Sequence, residues 1–96
     1  MTKIKTYTVV KFTDELGNTH QMKLNRREMD LYNLLLSKFG RIVSFEEIEQ
    51  TIGINPNLAR VTKFALQSKL PMSLEISTVY AKGYFLSKSS GLEGEN

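Results

Sequence analysis

The chain contains no cysteine and only one histidine in 96 residues. Without cysteine there is neither a disulfide nor a thiolate metal site. An imidazole-based metal centre or a Ser-His-Asp triad would have to run through His20 alone, and such sites need partners arranged around the ring. No enzyme activity and no cofactor are therefore expected, and His20 reads as a polar residue on a strand. Long apolar runs are also missing. No segment approaches the roughly 20 residues of a membrane span, and no apolar run long enough for a signal peptide follows Met1 to Lys5. The expectation is a cytoplasmic protein with no membrane partner.

Acid is scarce where it would matter most. Residues 56–70 contain no Asp or Glu. The net charge is +3, but residues 1–88 hold all 13 Lys and Arg and eight of the ten acids. That excess of cations is compatible with a nucleic-acid partner. The apolar share of 41% and charged share of 24% are ordinary for a globular domain. A chain of this length fits one domain and buries only about 60–65% of its unfolded surface, enough for a single core.

Tyr7 to Thr13 is rich in β-branched and aromatic residues and reads as a strand. Asp14 to Asn18 carries turn chemistry, and Thr19 to Leu24 alternates with Met22 and Leu24 on one face. Asn25 with Glu28 three residues on resembles a capping box. The helix it opens presents Met29, Tyr32, Leu35, Leu36 and Phe39 at helical spacing, widened by Leu31 and Leu34, and Gly40 sits where a C′ glycine would end it. After a short extended link at Arg41 to Val43, Ser44 and Glu47 form a second capping box for a helix over about 45–51 that buries Phe45, Ile48 and Ile52.

Pro56 disfavours helix at Asn55, so a third helix is expected over about 58–70 with Asn57 as its cap. At 100° per residue, Leu58, Ala59, Val61, Ala65, Leu66 and Leu70 fall on one broad side, and Arg60, Lys63 and Gln67 on the other with Phe64 at its edge. Pro71 blocks continuation. Residues 75–87 read as a closing hairpin, and residues 88–96 as a disordered tail. The expected fold class is α+β: three helices with an N-terminal and a C-terminal β-hairpin, in one domain over 1–87.

Four ordered pieces carry a family resemblance: Leu24-Asn25-x-x-Glu28-Met29-x-Leu31-x-x-Leu34-Leu35, Gly40-Arg41-Ile42-Val43-Ser44-x-Glu46-Glu47-Ile48, Lys69-Leu70, and Ile76-x-Thr78-Val79-x-x-x-Gly83-Tyr84-x-Leu86. Together, over about 22–87, they resemble the winged helix-turn-helix DNA-binding domain of OmpR/PhoB-type response regulators. The resemblance implies a DNA-binding transcription regulator whose third helix enters the major groove and whose hairpin wing reaches the neighbouring minor groove or backbone. That family normally carries a receiver domain ahead of this module. The present chain reads without one, so a stand-alone regulator is expected.

The candidate DNA contacts are Asn57, Arg60, Lys63, Phe64 and Gln67 on the third helix, Tyr80 and Lys82 on the wing, and Arg41. Arg and Lys can donate to guanine O6 and N7, Gln can pair with adenine, and Phe can touch a thymine methyl. Ser77, Tyr80 and Phe85 stand at wing positions where the resemblance implies Arg, so the wing's charge rests mainly on Lys82. A module with this few cations binds DNA nonspecifically at about 10⁻⁴ to 10⁻⁶ M and covers about 600–1,000 Å². Homodimerisation or cooperative binding is therefore expected. The competing expectation is a winged helix that binds RNA polymerase or another regulator, since an exposed aromatic on a moderately polar face also suits a protein partner.

Overall fold

A computed structural model describes residues 7–13 and 16–89. The first hairpin pairs β1 (Thr8–Thr13) antiparallel with β2 (Thr19–Leu24), Thr8 opposite Leu24 and Thr13 opposite Thr19. Gly17 in its turn has φ +88°, a conformation open to glycine without strain. Met22 and Leu24 turn inward, as their alternation requires. The expected turn residues Asp14 and Glu15 lie outside the described residues, as does the expected tail beyond Ser89.

Helix α1 (Arg26–Ser37) starts on the expected reciprocal cap. Asn25 Oδ1 accepts from the Glu28 N–H at 2.8 Å, and Glu28 Oε1 accepts from the Asn25 N–H at 3.0 Å. Leu31, Tyr32 and Leu35 are buried, whereas Leu36 and Phe39 are largely exposed. The helix closes at Lys38, two residues before Gly40. Gly40, at φ +82°, instead ends the following turn and donates its N–H to the Leu86 carbonyl at 2.8 Å.

Strand β3 (Val43–Ser44) leads directly into α2 (Phe45–Ile52). Ser44 Oγ caps the helix by accepting from the Glu47 N–H at 3.0 Å. The Glu47 carboxylate pairs across to Lys38 at 2.5 Å. Gly53, at φ +75°, closes α2 in the left-handed conformation.

Helix α3 (Pro56–Gln67) begins two residues earlier than the sequence suggests, and its cap is Asn55 rather than Asn57. Asn55 Oδ1 accepts from the Leu58 N–H at 2.8 Å. The extended backbone that Pro56 forces on Asn55 is the backbone an N-cap needs, and proline suits the first helical position because it has no N–H to leave orphaned.

The wing is β4 (Leu74–Val79) and β5 (Gly83–Lys88), with Val79 opposite Gly83. Strand β5 lies in the middle of a three-stranded sheet, order β3-β5-β4. Gly83 has an ordinary φ, and its role is close approach. A Cβ there would lie 2.0 Å from the Val43 carbonyl oxygen. The core gathers Leu24, Leu31, Leu35, Val43, Ile48, Leu66 and Leu86, contributed by both sheets and all three helices.

Candidate nucleic-acid interface

Helix α3 is held by one narrow stripe. Ala59, Thr62 and Leu66 are buried, and Thr62 satisfies its hydroxyl by donating to the Leu58 carbonyl at 2.7 Å. The opposite face carries Asn57, Arg60, Val61, Phe64 and Ser68, all exposed. Val61 is 57% and Phe64 76% exposed. Val61 therefore belongs to the outward face, not to the buried side on which its hydrophobicity placed it. At 3.6 residues per turn, the outward face is rotated by roughly 80° from the stripe of Arg60, Lys63 and Gln67.

That rotation separates the expected contacts. Asn57, Arg60 and Phe64 share the outward face. Lys63 is half-buried on the flank, its Nζ 5.8 Å from the centre of the Tyr84 ring, within the range of a cation–π contact. Gln67 is drawn toward the wing, where its Oε1 accepts from the Ile76 N–H at 2.8 Å. It ties α3 to β4.

Between α3 and the wing lies an open groove of about 320 Å³ lined by Arg60, Val61, Lys63, Phe64, Thr78 and Tyr84. Tyr84 forms its floor, 4% exposed, and meets Phe45 edge-on at 5.2 Å between ring centres. Burial pushes the Tyr84 hydroxyl pKa up, and the nearby Arg60 charge partly opposes that rise. Thr78 sits opposite Tyr84 across the wing ladder. Neither Tyr84 nor Thr78 is among the contacts expected from the sequence. Only the pairing of β4 with β5 beside α3 brings the two together under Arg60.

Tyr80 and Lys82 occupy the wing turn, where Tyr80 is 92% exposed. The turn is closed by a bond from the Lys82 N–H to the Val79 carbonyl at 2.9 Å, with Ala81 at φ +61°. The Lys82 carbonyl accepts from the Phe45 N–H at 3.1 Å, so the wing turn is tied to the start of α2. Arg41 is exposed but stands apart from the groove. The bond from Gly40 to Leu86 places its loop beside the middle of β5, away from the turn.

Neither a protein-family model nor a curated protein matches the chain. Among solved structures it is similar to the DNA-binding domain of Bacillus subtilis CssR, at 26% identity and a TM-score of 0.62, over 84% of this chain and 99% of that one. The fold is a winged helix like that of the CssR DNA-binding domain. In this winged helix α2 and α3 form the helix-turn-helix, and β4 and β5 are the wing. Among the described residues, no helix is long and apolar enough to cross a membrane.

Proposed function

We propose that this winged helix binds duplex DNA as a transcription regulator, with α3 in the major groove and the wing on the adjacent minor groove or backbone. One observation carries the reading. The fully outward face of α3 holds Asn57 and Arg60 beside two uncovered apolar residues, on a helix without a single acid, next to a projecting wing. An α-helix of this diameter fits the major groove. Residues opposite the buried stripe then meet base edges, and residues on the flanks meet the phosphate walls. Asn57, Arg60 and Phe64 are the base-facing set. Lys63, beside Thr78 and Tyr84 in the groove, and Lys82 at the wing turn face phosphates, as does Tyr80. Arg41 adds a peripheral charge. Gln67 acts in positioning α3 against β4. A module with this few cations needs a second copy on an adjacent half-site for useful specificity.

Fluorescence anisotropy with mixed duplex DNA across salt concentrations tests this. Affinity falls steeply with salt for the wild type, and Lys63→Ala with Lys82→Ala flattens the slope by about two counterions' worth. Absence of binding to any duplex at low salt would overturn the proposal.

A second reading, a protein-docking winged helix contacting RNA polymerase or another regulator, is favoured by the exposure of Phe64 and Tyr80. It predicts no salt-dependent DNA binding, together with loss of the protein complex in Phe64→Ala.

A further inference from the structure

The outward face of α3 poses a problem that hydrogen bonding does not solve. Val61 and Phe64 are three residues apart, adjacent on that face, and uncovered. They are flanked by Asn57 and Arg60, so the patch is a small apolar island on the acid-free helix α3. If α3 enters the major groove, this island meets the groove floor. Most of that floor consists of donors and acceptors: N7 and O6 of guanine, N4 of cytosine, N7 and N6 of adenine, O4 of thymine. Pressing Phe or Val against those atoms strips them of water and offers no bond in return, a poor exchange. The one apolar group displayed there is the C5 methyl of thymine.

We infer that Val61 and Phe64 are specificity-determining residues that read thymine C5 methyl groups within the target site. The inference rests on the placement of α3 proposed above and names the base that this face selects. The two side chains are offset by three residues, a rise of about 4.5 Å along the helix. That offset matches methyls on bases one or two steps apart, so the preferred site holds two thymines close together, next to a base bonded by Arg60. A bulky ring and a short branched chain side by side give the pair an order: Phe64 reaches the more distant methyl, Val61 the nearer.

The test starts from a site selected out of a random duplex pool. Each thymine is replaced in turn by deoxyuridine, which removes one methyl and leaves every hydrogen-bonding group in place. Affinity is expected to fall about fourfold at each contacted position, the worth of one buried methyl, and at no more than about two positions in each half-site. Phe64→Ala should bind the thymine and deoxyuridine versions of its position equally. Arg60→Ala should weaken both versions alike, preserving the discrimination. If no deoxyuridine replacement changes affinity by twofold while Arg60→Ala still weakens binding, the thymine assignment is overturned and the DNA-binding proposal survives. If Phe64→Ala leaves both affinity and discrimination intact, the assignment is likewise overturned, and the exposed ring belongs to a protein contact. If no duplex binds at low salt, both fall together.

Discussion

Lys69 Nζ lies 2.7 Å from Glu28 Oε1, joining the segment after α3 to the first turn of α1. Glu28 is 4% exposed, and the same oxygen also accepts from the Asn25 N–H. A buried carboxylate is stable only when it is paired and hydrogen-bonded, and this one receives its own helix cap and a cation from the far end of another helix. Glu28→Ala removes both and should cost about 2–3 kcal/mol. Lys69→Met removes the cation, itself about a third exposed, but leaves the buried carboxylate with only its cap bond, and should cost about 2 kcal/mol. Urea unfolding of both variants and of the double variant measures the coupling. Costs that simply add in the double variant would mean that Lys69 and Glu28 are not coupled.

Gly83→Ala should destabilise the domain by at least about 3 kcal/mol, lowering the melting temperature by roughly 12 °C or more. The added methyl cannot coexist with the Val43 carbonyl, and that obstacle is backbone. Relief requires β3 to separate from β5. Thermal denaturation followed by circular dichroism is sufficient to check it.

Gln67→Ala should lower stability by about 1–2 kcal/mol, the cost of leaving the Ile76 N–H without its partner. The sequence suggests a different outcome, loss of adenine recognition. The two are separated by measuring the unfolding free energy and the affinity for a selected duplex in the same variant. A stable variant with altered base preference would restore Gln67 to the reading face.

Ala81→Gly should raise stability by about 0.5–1 kcal/mol, because a side chain at φ +61° costs more than the extra freedom glycine gives the unfolded chain. The wing turn keeps its bond from Lys82 to Val79, so affinity for DNA should be unchanged. A fall in melting temperature would refute the strain argument.

Alkaline pH should unfold the domain through its two buried tyrosines. Burial raises the pKa of both Tyr32 and Tyr84 above the usual 10.0. The unfolded chain therefore releases these protons first, and stability falls as pH rises from about 10 through the raised folded values. At neutral pH the contribution is fully present. Tyr32→Phe with Tyr84→Phe should flatten the alkaline limb of the stability curve, and an unchanged limb would assign that loss to other groups.

The elements that were legible in the sequence are those whose signals are local. Asn25 and Glu28 announce α1 because both halves of the cap lie within four residues. Thr78, Val79, Gly83 and Tyr84 announce the wing because a hairpin's partners are near in sequence. Asn55, not Asn57, caps α3, because Pro56 forces on it the extended backbone of a cap. The orientation of α3 is hidden from the sequence for a chemical reason. Thr62 is polar, yet it holds a core position by bonding backward to Leu58, while Val61 and Phe64, which are apolar, face water. Residue type alone rotates the helix the wrong way. The ties from Gln67 to Ile76 and from Gly83 to Val43 join separate elements, and nothing in the neighbourhood of either residue signals them.

Strand β5 is held on every side by backbone bonds: to β4 along its length, to the α1–β3 turn through Gly40 and Leu86, and to the start of α2 through Lys82 and Phe45. The wing is thus not a finger on a hinge. It and α3 form one calliper of fixed opening, set by Gly83 against Val43 and by Gln67 against Ile76. Under the proposed mode of DNA binding, a duplex spanning both would have to bring its own groove widths to that gauge. Selection among sequences would then depend on how cheaply each deforms, as well as on the bases that α3 is proposed to read.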